Sequence, residues 1–164
     1  MSDAKASNQS APTGQQFNDG WLQTTPGERF KIRIRAEETQ AAYTMLEMVA
    51  DPRNGVPMHI HKNEDEYFIV LEGTLHIVNG DKRLDAPAGT SVTVNKGIPH
   101  AWCNLSQNPL RMLVIFSPGH IEGLFRQIAA RQSDDIAAIL ENFGCLIVGP
   151  TLLEDLHSIR SPRR

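Results

Sequence analysis

The sequence predicts an all-β domain, an antiparallel sandwich or barrel, followed by a pair of α-helices. From Trp21 to Pro118 the chain divides into short runs rich in Val, Ile, Thr, Phe and Tyr. Turn clusters such as DPRNG at 51–55 and NKGIP at 95–99 separate these runs. Strands repeated at intervals of about 8–12 residues are typical of such folds. Beyond Pro118 the spacing of apolar residues changes to a helical period.

Two stretches show the strand pattern most clearly. The run FKIRIR, Phe30 to Arg35, alternates apolar with basic residues, which predicts a strand with one buried face and one face in water. Asn79 and Gly80, between LHIV and KRLD, predict a two-residue hairpin turn because both residues tolerate positive φ.

The helical segment contains two amphipathic patterns with i, i+3, i+4 spacing, Ile121, Leu124, Phe125, Ile128 and Ala129, then Ile136, Ile139, Leu140 and Phe143. Ser133, followed by Asp134 and Asp135, is the predicted N-cap of the second helix, and Gly144 is predicted to end it. CLIVGP at 145–150 is predicted to return as a short strand.

A length of 164 residues suits one compact domain with one active centre. We expect a disordered lead over residues 1–16, the barrel over 17–118 and a tail over 151–164. The helices and return segment, 119–150, are expected to pack on the barrel or on a partner. Because added helices and dimerisation both cover sheet edges, a homodimer is expected.

Composition excludes several classes of function. The 16 basic and 19 acidic side chains give a formal charge of −3, so no basic face for nucleic acid is indicated. No apolar run approaches the roughly 18 residues of a membrane span. Cys103 and Cys145 are far apart and form no CxxC, which predicts free thiols rather than a disulfide framework. With no signal-peptide pattern at the N-terminus, a cytoplasmic location is expected.

The stretch HIHKNEDEYFIVLEG concentrates groups that bind metal ions. His59 and His61 share one face of a strand because side chains alternate. A polar turn would then let Glu66 open a returning strand, so that three ligands arise from one hairpin. His100, in GIPHAWCN, is a fourth candidate, and Asn104 lies on the same face of its strand. Single histidines in strands are more often structural, but this combination favours a metal site.

These residues resemble the cupin family. Its first motif, G-x5-HxH-x3,4-E-x6-G, is similar to GVPMHIHKNEDEYFIVLEG, and its second, G-x5-P-x-G-x2-H-x3-N, is similar to GTSVTVNKGIPHAWCN. Two departures fall in turns: three residues instead of five separate Gly55 from His59, and Asn95 replaces the proline. The resemblance covers about residues 30–118, and the helical tail is similar to that of small quercetin dioxygenase-like proteins. It implies a jelly-roll β-barrel, a double-stranded β-helix, with one metal held by His59, His61, Glu66 and His100.

Three neighbouring carboxylates compete for the ligand position. Glu66 fits both the four-residue interval after His61 and the six residues before Gly73. Asp65 fits the shorter interval but leaves seven residues before Gly73. The spacing therefore favours Glu66.

Three imidazoles and one carboxylate suit one divalent transition metal ion per chain, with Fe or Mn favoured and Ni, Co, Zn or Cu able to bind. The resemblance implies a dioxygenase-like oxidoreductase acting on a small enolic, phenolic or diketone substrate, with Glu66 as the catalytic base. Two alternatives stay open: a metal-dependent isomerase or lyase, and a cupin that binds a metal or small ligand without turnover.

The substrate pocket is predicted from strand parity. Phe68 and Val70 share a face with Glu66, and Trp102 shares one with His100, so they would form an apolar wall unless they are ordinary barrel core. Tyr43 and Met45, together with Glu47, are candidates for the opposite wall.

Overall fold

The computed structural model of the protein describes residues 20–130 and 136–153. Over these ranges the chain forms two α-helices, α1 (Glu122–Ala130) and α2 (Ile136–Asn142), one 3₁₀ helix (Ala36–Thr39) and eleven strands. The strands are β1 (Leu22–Thr25), β2 (Glu28–Ile34), β3 (Thr44–Ala50), β4 (Gly55–His61), β5 (Asp65–Glu72), β6 (Thr74–Asn79), β7 (Lys82–Pro87), β8 (Ser91–Val94), β9 (His100–Cys103), β10 (Leu110–Ser117) and β11 (Cys145–Thr151). The predicted lead over 1–16, the predicted cap at Ser133 with Asp134 and Asp135, and the tail from residue 154 lie outside the described residues.

The strands form two antiparallel sheets that enclose one core. Sheet A has the order β1-β2-β3-β10-β5-β8, and sheet B has the order β11-β4-β9-β6-β7. Non-consecutive neighbours in both sheets show that the chain crosses repeatedly between them, as in a jelly roll. The predicted all-β class with a C-terminal pair of helices is therefore confirmed.

Strand β10 shows how side-chain alternation builds the core. Leu110, Met112, Val114 and Phe116 are at most 1 % exposed, whereas the residues between them are half-buried. The strand pairs with β3 on one side and β5 on the other, so it lies inside sheet A. Burial of each such side chain contributes roughly 1.5–3 kcal/mol before entropy is counted, so this strand is a main source of cohesion.

The predicted half-buried strand at Phe30 is β2, which begins two residues earlier, at Glu28. Glu28, Phe30 and Ile32 point into the barrel and are buried. On the opposite face, Arg33 Nε donates to the buried carboxylate of Glu47 at 2.6 Å. The outer face of sheet A therefore carries an ion pair rather than a pocket wall.

The segment after the barrel packs on the barrel of the same chain. The Glu122 carboxylate, at the start of α1, accepts hydrogen bonds from Ala36 N at 3.1 Å and from the Thr44 hydroxyl. Gly144, at φ 71°, donates to Glu141 O at 2.9 Å just beyond the end of α2, as predicted. The return segment forms β11, whose register sets Cys145 opposite His61 on β4. Among the described residues, no helix combines the length and apolarity that crossing a membrane requires.

The predicted hairpin turn is displaced by one residue. Asn79 pairs with Lys82 as the last pair between β6 and β7, so the two loop residues are Gly80 and Asp81. Gly80 takes the left-handed conformation, at φ 63°. Asn79 instead stays in the strand, where its side-chain amide donates to Thr93 O at 2.9 Å.

Strands β4 and β9 approach each other so closely at Gly55 that a side chain there is excluded. A Cβ at this position would overlap the Trp102 carbonyl oxygen and lie 2.7 Å from Cys103 Cβ. We expect Gly55→Ala to lower the free energy of unfolding by about 1–3 kcal/mol, because backbone must shift to admit the methyl group. Chemical denaturation measures this. Gly20→Ala is the control, since nothing lies within 4 Å of the added Cβ; equal stability of the two variants would contradict the expectation.

Candidate metal centre

Four buried side chains from three strands meet inside the barrel. His59 and His61 project inward from β4, Glu66 from β5 and His100 from β9. One donor atom from each lies within 4.8 Å of all the others. Each side chain is at most 7 % exposed. The structure thus brings together the four residues that the sequence indicated.

The prediction that three of these residues arise from one hairpin is wrong. Strand β4 pairs with β9 and β11 in sheet B, whereas β5 pairs with β10 and β8 in sheet A. Residues 62–64 therefore link two facing sheets. His59 and His61 point inward from sheet B, and Glu66 points inward from the facing sheet A. The side chains therefore meet inside the barrel although β4 and β5 are not hydrogen-bonded to each other.

Hydrogen bonds orient two of the imidazoles. His59 Nδ1 lies 2.8 Å from Pro57 O, and His100 Nδ1 lies 3.0 Å from Ile98 O. Because a carbonyl oxygen only accepts, Nδ1 is the donor in both rings, and each Nε2 points into the centre. The Nε2 atoms of His100 and His61 lie 2.8 Å and 3.4 Å from Glu66 Oε2.

Burial and the charges within the centre together set the protonation of its members. Burial, followed by repulsion from His100, lowers the pKa of His59 to about 4, so this ring is neutral at physiological pH. Burial alone would raise the pKa of Glu66, but hydrogen bonds from His100 and His61 outweigh it and hold this pKa well below its usual range. Burial opposes protonation of His100, yet its bond to Glu66 prevails and raises its pKa.

The four residues fit a divalent transition metal ion. Metal–ligand bonds of about 2.0–2.2 Å place donor atoms up to about 4.4 Å apart, close to the span observed. His61 Nδ1 is buried and has no hydrogen-bond partner among the described residues, as expected of a ring not committed to a structural role. Glu66 is ionised and His59 is neutral, the states that metal binding requires. The donor set alone does not select the metal.

The other residues considered from sequence take different positions. Asp65 Oδ1 accepts a hydrogen bond from Lys96 N at 2.8 Å, and Glu64 is buried with Oε2 unpaired among the described residues; neither joins the cluster. Asn104 Nδ2 donates to Ala50 O at 3.0 Å and to the carbonyl of Asn108 at 2.8 Å. Asn104 therefore stabilises the loop after β9 and does not join the candidate metal ligands.

A cavity of about 380 Å³ opens beside the centre, lined by His59, His61 and Glu66. The rest of its wall is mainly apolar, and no lysine or arginine among the described residues lines it. Large side chains from β9, β10, α1 and α2 form most of this wall: Trp102, Phe116, Leu124, Phe125, Ile128 and Leu140.

Of the five residues predicted for the pocket, Trp102 lines the cavity. Phe68 and Val70 point inward but are at most 1 % exposed and belong to the barrel core, the alternative considered for them. The placement of Tyr43 and Met45 in the pocket needs correction. Met45 shares the outer face of β3 with Glu47, and Tyr43, just before the strand, has the same parity. Met48, which lies on the inner face of the same strand, lines the cavity instead.

Sequence reasoning missed Phe116, the two helices and Glu28 as parts of the cavity. The alternation along β10 indicates only that Phe116 points inward; its pairing with Glu66 on the neighbouring strand is known from the structure. The helices were predicted as amphipathic, but nothing in their pattern indicates what their apolar face covers. Glu28 lies two residues before Phe30, so the alternation of side chains in β2 places both on the same buried face.

Residues 46–116 match the family model described as Cupin domain. The match covers less than half of the chain, and the two-sheet fold extends beyond the matched residues on both sides. No curated protein matches the chain.

Solved structures share the fold at low identity. KdgF from Halomonas sp. is 16 % identical, with a TM-score of 0.57 over 63 % of this chain and 90 % of that chain. A predicted oxalate decarboxylase from Thermotoga maritima is 18 % identical, with a TM-score of 0.54 over 60 % and 90 %. A sugar phosphate isomerase from Silicibacter pomeroyi is 18 % identical, with a TM-score of 0.50 over 57 % and 61 %. At these identities the likeness shows the fold alone.

Removing donors from the cluster is expected to abolish metal binding. Elemental analysis of anaerobically purified protein should find close to one metal ion per chain, and His61→Ala with Glu66→Ala should remove it. The affinity should fall by more than about 100-fold, since even changes outside the ligand shell cost 10–100-fold. His76→Ala is the matched control, because His76 pairs with Asp85 away from the cluster. Unchanged metal content in the double variant would contradict the assignment of the site.

Both thiols are expected to be unreactive in the folded protein. Burial, with a smaller contribution from Glu66, raises the pKa of Cys145 to about 12; burial, with Asp85, raises that of Cys103 to about 11. Iodoacetamide at pH 8 should modify them at least ~100-fold more slowly than in the unfolded chain, because only the thiolate reacts. Mass spectrometry counts the adducts. The denatured protein, which exposes both thiols, is the control, and rapid labelling of the folded protein would contradict the burial seen here.

Proposed function

We propose that this chain is a metal-dependent, dioxygenase-like oxidoreductase that acts on a small enolic, phenolic or diketone substrate. One observation carries the proposal: a largely apolar cavity, which no lysine or arginine of the described residues lines, adjoins a buried cluster of three histidines and a glutamate. The donor set suits redox-active ions such as Fe(II) or Mn(II). Such an ion would supply one-electron chemistry and an attachment point for an ionised substrate oxygen.

The lining of the cavity favours this reaction over two reactions named for structural neighbours. Oxalate and sugar phosphates, named for two of the structural neighbours, carry full negative charges. Anions of this kind are usually held by arginine or lysine, or by clusters of backbone N–H groups. The wall here instead offers Trp102, Phe116 and Phe125, which suit a flat apolar ring. The cavity volume of about 380 Å³ falls within the usual range for small-molecule sites.

Glu66 would both bind the metal ion and accept a proton from the substrate. Both imidazole contacts use Oε2, which leaves Oε1 as the atom that can accept the proton of a substrate hydroxyl. The low pKa of Glu66 keeps it ionised, so that Oε1 has lone pairs available to a substrate hydroxyl. His59 and His100 hold their Nε2 atoms toward the same point through their Nδ1 hydrogen bonds, while the apolar wall limits the access of water to the reacting group.

Oxygen consumption tests the proposal. Metal-free protein reconstituted separately with Fe, Mn, Co and Ni is presented with flavonols, catechols and β-diketones in an oxygen electrode. We expect uptake with Fe or Mn and at least one of these classes, and a loss of at least ~100-fold in His61→Ala, which loses a donor to the metal. His76→Ala should keep the activity.

Metal content is measured on the same samples. If metal-loaded protein consumes no oxygen with any pairing of metal and substrate, the proposed oxidoreductase activity is contradicted. The two alternatives, a binding protein and a metal-dependent isomerase or lyase, would then be favoured. The homodimer and the cytoplasmic location stay predictions from the sequence.

A further inference from the structure

Glu28 is a buried carboxyl in the cavity wall that the proposed chemistry does not use. It is 5 % exposed and lines the cavity together with Thr24 and Thr25. The Thr24 hydroxyl donates to its Oε1. No basic side chain among the described residues forms an ion pair with Glu28, and burial raises its pKa despite the bond from Thr24.

The hairpin between β1 and β2 fixes the position of this group. Thr25 pairs with Glu28 across the turn at Pro26 and Gly27. Gly27 packs against the loop that precedes β4, where a Cβ would lie 2.8 Å from the side-chain nitrogen of Asn54. Glu28 therefore belongs to the end of the barrel where β4 begins.

The metal centre lies at the other end of β4. Gly55 and His59 both line the cavity and are four residues apart on this strand, which corresponds to about 13 Å. Aromatic rings line the cavity between these two ends. The centroid of the Phe116 ring lies 5.4 Å from that of His61 and 5.8 Å from that of Phe125. Phe125 lies 5.3 Å from Phe30, the inward neighbour of Glu28 on β2. The cavity thus has two polar ends joined by an apolar wall.

We propose that Glu28, positioned by Thr24, binds a hydroxyl group at the end of the substrate remote from the metal. The substrate class is then an elongated, mainly aromatic molecule with a metal-binding oxygen at one end and a hydroxyl at the other. Among the described residues, Thr24 is the one donor to the Glu28 carboxyl, and it bonds Oε1, so a ligand hydroxyl can add a hydrogen bond at Oε2. The metal-binding end of this description rests on the proposed function, whereas the hydroxyl end rests on Glu28 alone.

Two matched pairs of ligands test the two ends separately. On metal-loaded protein, 4-(4-hydroxyphenyl)catechol is compared with 4-phenylcatechol; on metal-free protein, 4-phenylphenol is compared with biphenyl. Dissociation constants come from competition with a fluorescent apolar dye. We expect the hydroxylated member of each pair to bind about tenfold more tightly, the usual gain from one buried hydrogen bond.

Variants at Glu28 decide whether that preference comes from this residue. Glu28→Leu should abolish it, and Glu28→Gln should retain most of it, because an amide still bonds both Thr24 and the ligand hydroxyl. Glu37→Leu, which removes an exposed carboxylate paired with Arg35, is the control and should leave it unchanged. Unfolding temperatures of all variants are measured alongside, so that lost folding is not read as lost recognition.

The outcomes distinguish the two proposals. A hydroxyl preference that survives in Glu28→Leu, or no preference in the native protein, overturns the role of Glu28. A preference on metal-free protein that depends on Glu28, in a chain that binds no metal or consumes no oxygen, supports the role of Glu28 while the proposed function fails.

Discussion

The register between β4 and β9 is the constraint on which the candidate metal centre depends. It sets His59 opposite His100, with ring centroids 4.1 Å apart. A slip of one residue would turn every inward side chain of β4 outward, so the contacts that hold sheet B also hold the three imidazoles. Gly55, at the start of the same strand, permits the close approach of the two backbones. The fourth donor depends on the spacing of the two sheets, because Glu66 must reach across the barrel from β5.

The apolar core and the neighbouring imidazoles have opposite effects on the protonation state of Glu66. Burial favours the neutral form of Glu66, and only the imidazoles beside it keep the carboxylate ionised. Buried charged groups of this kind seldom stabilise a fold, since desolvation offsets their attraction. Their presence therefore indicates a function. A bound cation would replace the proton that His100 holds toward Glu66, so metal binding is expected to release protons.

Periodic features of the sequence predicted the all-β class, and the motif spacing of the cupin resemblance implied the four clustered residues. The alternation along β4 is local and strand parity preserves it, whereas His100 lies 34 residues beyond Glu66 in the chain. Parity does not reveal which face of a strand is inside when both faces are apolar. In β3, Met45 and Met48 lie on opposite faces, and only the ion pair of Glu47 in the folded protein identifies the outer one. Nor does parity give depth, so Phe68 and Phe116 could not be ranked as core and cavity wall.

About half of the residues that line the cavity lie outside the segment that the family model matches. That segment, 46–116, holds all four candidate ligands. Glu28 precedes it, and the cavity-lining helices α1 and α2 follow it. Spacing within the matched segment thus constrains the candidate metal ligands, whereas under the proposed function selection of the substrate would depend on the β1–β2 hairpin and the two helices outside that segment. Proteins with the same metal centre can therefore act on different molecules, and in this chain the distance between Glu66 and Glu28 would define the length of the ligand.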